Sequence, residues 1–443
     1  MKLATSLLTC MRCGDSKPLY GAVEFKCHCG GLYDVTHTWD HLQEYSPLQL
    51  RQIFDARARP LAHNGPMTRS GVWRFQELVM PSLLPENIVS LGENATILPA
   101  GDRLREWVGG DLDLWVIFEG LTMTGSFKDF GGTAHVSVSK QSGVKALICA
   151  STGDTSAMAA AYAAPAGISC VVVLPRDDVS PVQLMQPLMH GAKVILVPGS
   201  FDECMRIVRE LVEQKRAFPI NSLHPARIEG HQATVFLAAQ FFGWELPDLF
   251  VVPVGNGSNT SSIGKGSRLL KNLGFVPRDE RGRIISVQST AADPLSSAWE
   301  KVQENGVADP SKWAAAYRPR QHLGKTTATA ALIGNPVSCE KVMREINHSR
   351  GAILTAREED LNHAVMVAGS DGFCVCPQTG TALAGLRQAV SRGFVKKGSR
   401  VAVVSTATGL KFPEVVRKQS EGLGLTQEAK TCSTEEVANL IGV

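Results

Sequence analysis

The stretch VKALICASTGDTSAMAAAYAA, residues 144–164, carries the pattern that decides the fold. Its first part, VKALICAS, is a short apolar run of the kind a strand buried on both faces requires. STGDTS then supplies small residues and helix-capping side chains. AMAAAYAA continues as an Ala-rich helix whose slim face can lie close to a sheet or a ligand. The same texture returns in SCVVVLP (169–175), AKVILVPG (192–199), LFVVPVG (249–255), RIISVQS (283–289) and RVAVVST (400–406), all read as buried strands. Amphipathic segments lie between them. In Glu203–Gln214 the residues Cys204, Met205, Ile207, Val208, Leu211 and Val212 share one helical face. Strand, helix and strand in repetition predict an α/β protein with parallel sheets covered on both faces, where ligands gather at the carboxyl ends of the strands.

The chain has 443 residues, 44% of them hydrophobic, which is enough for two lobes with a sizeable core. Its 45 basic and 42 acidic residues are spread without long runs of one sign. That balance gives no electrostatic footprint for nucleic acid or an anionic membrane, so small-molecule partners are expected. No apolar stretch approaches the roughly 18 residues needed to span a bilayer, and MKLATSLLTC has too short an apolar core for a secretory signal. A cytoplasmic protein is expected. Four segments follow from the composition: a Cys-rich, zinc-ribbon-like segment (1–35), a helical extension with Trp39 and Trp73 (36–90), a catalytic core (91–413) whose smaller lobe covers about 130–225, and a polar tail (414–443).

Eleven cysteines fall into two groups. Seven are scattered, mostly among apolar neighbours, and read as packing. Cys10, Cys13, Cys27 and Cys29 form CMRC and CHC pairs, with Gly30 and Gly31 available for a tight knuckle. Such pairs can converge on one zinc ion, although the second is CxC and not CxxC. A structural zinc, a metal-free relic of a ribbon, and disulfides are the readings these four leave open.

Three strand ends carry clusters of small polar residues: VPVGNGSNTSS (252–262), the STGDTS segment, and VVSTATGLKF (403–412). The first could close backbone N–H groups on a phosphate at a helix N-terminus, but it is neither a Walker loop nor a G-x-G-x-x-G fingerprint. Apart from these, TGSFKDFGG (124–132) sets Lys128 between Phe127 and Asp129 among small residues. An anion loop, an amine in a tight turn and hydroxyls at a strand end suit a cofactor with a phosphate, an aldehyde and a ring nitrogen. Pyridoxal 5'-phosphate has all three.

Thr124–Asp129 is similar to the lysine signature of the fold-type II, tryptophan-synthase-like pyridoxal enzymes. STGDTSA, GNGSN, FPINSLHPARIEGH (218–231), TTATAALIGNPVS (326–338), FCVCPQTGTALAGL (373–386) and STATGLKF together resemble the threonine synthases, in their long plant-type form, from about residue 31 to 413. The resemblance implies a carbon–oxygen lyase with two doubly wound α/β lobes. It makes Lys128 the Schiff-base lysine and proton shuttle. Gly255, Asn256, Gly257, Ser258 and Asn259 become the cradle of the cofactor phosphate, Asp154 the neighbour of the phenolic oxygen, and Thr406 the partner of the pyridine nitrogen. Ser151, Thr152 and Thr155 would hold the substrate carboxylate and part of its phosphate, with Asn221, Ser222 and Arg227 completing that second anion site. The substrate implied is O-phospho-L-homoserine, with water, giving L-threonine and phosphate. A homodimer and an S-adenosylmethionine effector are also implied, although residues 31–120 show no site for the latter.

The chain departs from that pattern at Val254 and Ser258, where glycines are usual, and at EGLTM (119–123), where Asn-Pro is usual. Two rival activities stay open. A threonine dehydratase or a phosphoserine-dependent β-replacing synthase would keep Lys128 and the glycine loop, and a dehydratase would have no need of Arg227. A non-catalytic pyridoxal-binding relative would have little reason to keep both anion sites.

Overall fold

The computed structural model describes residues 4–21, 26–59, 65–151, 153–176, 181–199, 201–221, 224–304, 307–421, 433–434, 437 and 440. At the N-terminus β1 (Ser6–Cys10), β2 (Ser16–Pro18) and β3 (Tyr33–His37) form an antiparallel sheet in the order β2-β1-β3. Next come β4 (Thr96–Pro99), β5 (Asp113–Phe118), β6 (Ala146–Cys149), β7 (Ser169–Pro175), β8 (Lys193–Val197), β9 (Phe218–Pro219), β10 (Leu249–Pro253) and β11 (Arg283–Ser289). A small hairpin, β12 (Gln303–Glu304) and β13 (Val307–Ala308), precedes β14 (Ala352–Ala356) and β15 (Arg400–Ser405). The larger sheet runs β14-β11-β10-β15-β5-β4 and is parallel except for edge strand β4. The smaller sheet, β8-β7-β6-β9, is parallel throughout.

All six strands read from apolar runs are present. Central strands β10 and β15 are buried nearly end to end, as two helical layers over a parallel sheet require. β8 departs from the expectation of burial: Ile195 is 47% and Leu196 41% exposed. It is an edge strand, so its apolar run answers to pairing with β7 and not to full enclosure. β5 (DLWVIF) and β14 (AILTA) are not among the runs read from the sequence.

The helix Phe201–Glu213 buries Cys204, Val208 and Val212 and half-buries Met205, Ile207 and Leu211, the face its periodicity predicts. The 36–90 region seats on the larger lobe through rings: Phe54 lies 5.9 Å from Phe275, and Phe75 lies 5.5 Å from Phe236. Trp73 Nε1 donates to Thr133 Oγ1 at 2.7 Å. The three-stranded sheet adds Leu8, Tyr33 and Val35 to the same core. Among the described residues no helix is long and apolar enough to cross a membrane.

Candidate active site

The lysine turn is built by local hydrogen bonds. Asp129 accepts from Thr124 N (2.9 Å) and Thr124 Oγ1 (2.5 Å), while Ser126 N donates to Thr122 Oγ1 (3.1 Å). Burial pushes the Asp129 carboxyl up to about 6 against the Thr124 bonds. The turn is also stitched to the end of β15, with Phe127 N donating to Thr406 O (2.8 Å) and Thr408 N to Gly125 O (3.0 Å). Lys128 therefore opens the helix Lys128–Gln141 at the carboxyl edge of the larger sheet.

From the smaller lobe, β6 delivers Asp154 to the same place at the start of the helix Asp154–Ala166. Lys128 Nζ lies 3.0 Å from Asp154 Oδ2, and Lys411 Nζ lies 2.8 Å from Asp154 Oδ1. Burial alone would raise the Asp154 carboxyl. The two ammonium groups overcome it and hold the carboxyl far below the ordinary carboxylate range. The expected Ser/Thr/Asp capping is not what starts this helix. Its N-cap is Gly153, without a side-chain cap bond, because the Asp154 carboxylate is turned to the two lysines. Lys411 also donates to Thr124 O (2.7 Å), tying the lysine turn to β15's end.

The glycine loop leaves β10 and enters the helix Ser258–Asn272. Gly257, its N-cap, has φ +90°, and a Cβ there would stand 2.5 Å from Val342 Cγ2. Only glycine fits that backbone and that approach. Asn256 O accepts from Ser338 N (3.0 Å) and Asn256 Oδ1 from Val337 N (3.4 Å), so the TTATAALIGNPVS segment braces the loop. Val254 is buried, and its N–H is spent inside the sheet on Val287 O (2.8 Å). That N–H is therefore not free for an anion, and a cradle would have to be made by Gly255 onward. Ser258 begins the helix, and Asn259 is buried behind it.

Thr406 sits buried at the end of β15. Its Oγ1 lies 3.5 Å from Cys376 Sγ, and its N–H donates to Thr379 Oγ1 at 3.2 Å. The loop's fixed N–H groups, a lysine amine and a buried hydroxyl thus fit pyridoxal phosphate, and Gly257 leaves the space a side chain would fill.

On the smaller lobe, Asn221 follows β9 and donates through Nδ2 to Ala150 O (3.2 Å), which brings it beside Ser151 at the end of β6. Ser151 Oγ accepts from Gly153 N (3.3 Å), and Thr155 is buried in the first helical turn. Thr152 and Ser222 lie outside the described residues. Arg227, on the helix Ala226–His231, is 2% exposed and reaches Ile220 O at 3.5 Å. Burial brings its guanidinium down to about 10. Ser151, Asn221 and Arg227 are thereby collected at adjacent strand ends, with Arg227 set in the wall.

Lys411, Cys376 and Thr379 were missed from the sequence, although GLKF and CPQT lie inside stretches quoted above. Three buried histidines also lie in this part of the smaller lobe: His135 and His231 are near enough to Arg227 to feel its charge, and His224 O accepts from Arg227 N (3.3 Å). His135 and His224 stack at 4.7 Å, and His231 lies 4.9 Å from the Phe127 ring. Burial pushes all three imidazoles down from their ordinary value, helped by His224 and Arg227 at His135, by Lys341 and Lys17 at His224, and by Arg227 and Lys128 at His231. EGLTM divides: Glu119 is buried, with Thr234 Oγ1 donating to it, whereas Leu121 and Met123 are exposed.

Residues 89–407 match the family described as pyridoxal-phosphate dependent enzyme. The chain is 35% identical over 397 residues to threonine synthase 2, chloroplastic, of Arabidopsis thaliana, covering 88% of this chain and 74% of that one. It is 32% identical over 419 residues to the threonine synthase of Methanocaldococcus jannaschii, covering 94% and 95%. The crystal structure of Escherichia coli threonine synthase superposes with a TM-score of 0.67 at 16% identity, over 98% of this chain and 94% of that one. The fold agrees with these likenesses, and the chain belongs to the threonine synthases among the pyridoxal-phosphate dependent enzymes.

Proposed function

We propose that the protein converts O-phospho-L-homoserine and water to L-threonine and phosphate. The observation that carries this reading is the Lys128–Asp154 pair. It joins the carboxyl edges of two parallel sheets, one edge bearing the glycine cradle and the other Ser151, Asn221 and Arg227. A phosphorylated substrate in a pyridoxal enzyme needs two separate anion sites, and each edge offers one.

Gly255 through Asn259 would hold the cofactor phosphate on helix-end N–H groups. Thr406 would hydrogen-bond the ring nitrogen. Bound to this chain, pyridoxal phosphate supplies an electron sink for charge developing at the substrate α-carbon. A neutral hydroxyl beside the ring nitrogen makes that sink milder than a carboxylate would, so proton placement decides the outcome. Lys128 Nζ is the group that takes and returns protons at the α- and β-carbons. Asp154 stays anionic whatever the state of Lys128, because Lys411 holds it too.

Arg227 and Asn221 would bind the substrate phosphate and stabilise the charge that develops as it departs, with a guanidinium fork suited to two oxygens. Ser151 and Thr155 would orient the carboxylate, and Thr152 and Ser222 belong to the same proposal by their position in sequence. Closure of the smaller lobe would exclude water until it is needed at the β-carbon. A homodimer and an S-adenosylmethionine effector are part of the same reading, and sedimentation and rate measurements with and without the effector test them.

The deciding assay compares inorganic phosphate release from O-phosphohomoserine with that from phosphoserine, alongside deamination of threonine. Threonine formation from O-phosphohomoserine is the expected result. Turnover of phosphoserine alone, or of threonine alone, would replace this reading with the synthase or dehydratase alternative.

A further inference from the structure

The four N-terminal cysteines sit outside the machinery just described, and the structure brings them together. Cys10, Cys13, Cys27 and Cys29 place their sulfurs within 4.8 Å of one another. Cys10 Sγ lies 3.5 Å from Cys29 Sγ, and Cys13 Sγ lies 3.6 Å from Cys27 Sγ. A disulfide needs about 2.05 Å. Four thiolates around one zinc, each at about 2.3 Å, stand about 3.8 Å apart along the edges of a tetrahedron. The observed spacings match the second geometry and not the first.

The backbone is shaped for it. Cys10 closes one tight turn through Gly14 N to Cys10 O (3.0 Å), and Cys27 closes another through Gly30 N to Cys27 O (2.8 Å). Met11 N donates to Leu32 O (2.9 Å) and so joins the two turns. A Cβ on Gly31 would stand 2.7 Å from Cys10 Sγ, so a side chain there would close the space in which the sulfurs meet.

This sheet is also wired to both anion sites. Asp34 on β3, paired in register with Thr9, accepts from Lys265 Nζ (3.2 Å), Lys341 Nζ (3.5 Å) and Arg344 Nη2 (2.9 Å). Lys265 belongs to the helix that begins at the glycine loop. It reaches on to Glu229 (2.5 Å), two residues past Arg227. His37 Nε2 meets the other Glu229 oxygen at 3.2 Å. Arg12, inside the first cysteine pair, forms an ion pair with Glu340 on the helix Cys339–Ser349, whose Val342 packs against Gly257.

We propose that Cys10, Cys13, Cys27 and Cys29 bind one Zn²⁺ as thiolates, and that the metal holds the β1–β3 sheet as a clamp on the helices that carry the glycine loop and Arg227. Binding releases the thiol protons and involves no change of oxidation state. Asp15 and His28 gather around Cys27 alone and are not part of the ligand set.

The metal half of the proposal needs no assumption about the reaction. Elemental analysis of holoenzyme purified without added metal should give one zinc per chain, and Co²⁺ in its place should show the intense bands of a tetrahedral all-thiolate site. Replacing the two exposed ligands, Cys13→Ser with Cys29→Ser, should abolish both. Absence of metal, or a cobalt spectrum of mixed ligands, overturns the site. If the variant does not fold, chelation of the native protein under reducing conditions supplies the same comparison.

The clamp half rests on the pyridoxal reading and is tested by cofactor affinity. Stripping zinc should raise the dissociation constant for pyridoxal phosphate about fivefold or more. Asp34→Asn should do the same with zinc retained. Zinc binding with unchanged cofactor affinity overturns the clamp and leaves the site standing.

Discussion

Lys128 Nζ and Asp154 Oδ2 lie 3.0 Å apart, one at the carboxyl edge of each parallel sheet. Removing the amine does not strand the carboxylate, because Lys411 stays 2.8 Å from its other oxygen. Lys128→Ala should therefore fold and melt close to the native protein. It should lack the visible absorption of the bound cofactor, and borohydride, which in the native protein bleaches that band and fixes the cofactor to the chain, should leave no label. Turnover should fall about a thousandfold or more. Retention of a borohydride-fixed label in the variant would place the reactive amine elsewhere.

Removing both amines is a different matter. In Lys128→Ala with Lys411→Met the Asp154 carboxylate keeps its burial and loses both cations, a change of about 3–5 kcal/mol for breaking a buried pair. Each single substitution leaves one partner, so the double loss should exceed the sum of the singles. Burial without cations raises the folded-state value of the carboxyl above its unfolded one. The penalty is then absent below the ordinary carboxylate range and grows as pH rises through the folded value. Unfolding of the cofactor-free proteins in denaturant at pH 5 and pH 8 checks both points, and additive losses would show that the two lysines act on Asp154 separately.

Glu119 supplies a second pH test. It is fully buried and accepts from Thr234 Oγ1 at 2.5 Å. Burial pushes its carboxyl up from 4.5 to about 8, against the pull of that bond. The folded state holds this proton where the unfolded chain has released it, so stability is lost as pH rises between those values and levels off above the upper one. The slope approaches about 1.4 kcal/mol per pH unit for one proton. Glu119→Gln should flatten the native stability profile across that window, as followed by denaturant midpoints. An unchanged slope would mean that Glu119 is ionised in the fold.

Gly257 can be tested through its own geometry. Alanine there meets both the φ of +90° and the Val342 methyl at 2.5 Å, so the loop must move to accept it. About 1–2 kcal/mol of backbone strain is expected, which is a loss of about tenfold or more in cofactor affinity if it falls on the loaded form. Equilibrium dialysis of pyridoxal phosphate measures it, and native affinity in Gly257→Ala would remove the loop from the cofactor site.

The features legible in the sequence were those whose cause is local. Continuous apolar runs marked β6, β7, β10, β11 and β15, and the GNG turn marked the start of the 258–272 helix, because burial on two faces and a left-handed backbone each restrict residue choice where they occur. Lys411, Cys376, Thr379 and the buried Glu119 stayed hidden, since each acquires its role from a partner brought by the sheet from far along the chain. The Asp34–Lys265–Glu229 link is of the same kind: it joins residues separated by about two hundred positions, and no spacing announces it. β8 shows the converse, an apolar run that reads as buried and is exposed because it ends a sheet.

Arg227 offers a test of the proposed second anion site. Its guanidinium is 2% exposed and rests on Ile220 O, one residue before Asn221 and beside the end of β6. If it binds the departing phosphate, Arg227→Ala should raise KM for the phosphorylated substrate by about tenfold or more and lower kcat as well, since the guanidinium charge acts on both the bound and the developing anion. Competitive inhibition by inorganic phosphate should weaken in parallel, whereas the affinity for pyridoxal phosphate should hold within about twofold of native. Arg227→Lys keeps the charge without the fork and should recover part of the phosphate inhibition but little of kcat. Equal losses toward substrate and cofactor would make Arg227 a packing residue between the 226–231 helix and β9, and the phosphate would then have to be held elsewhere.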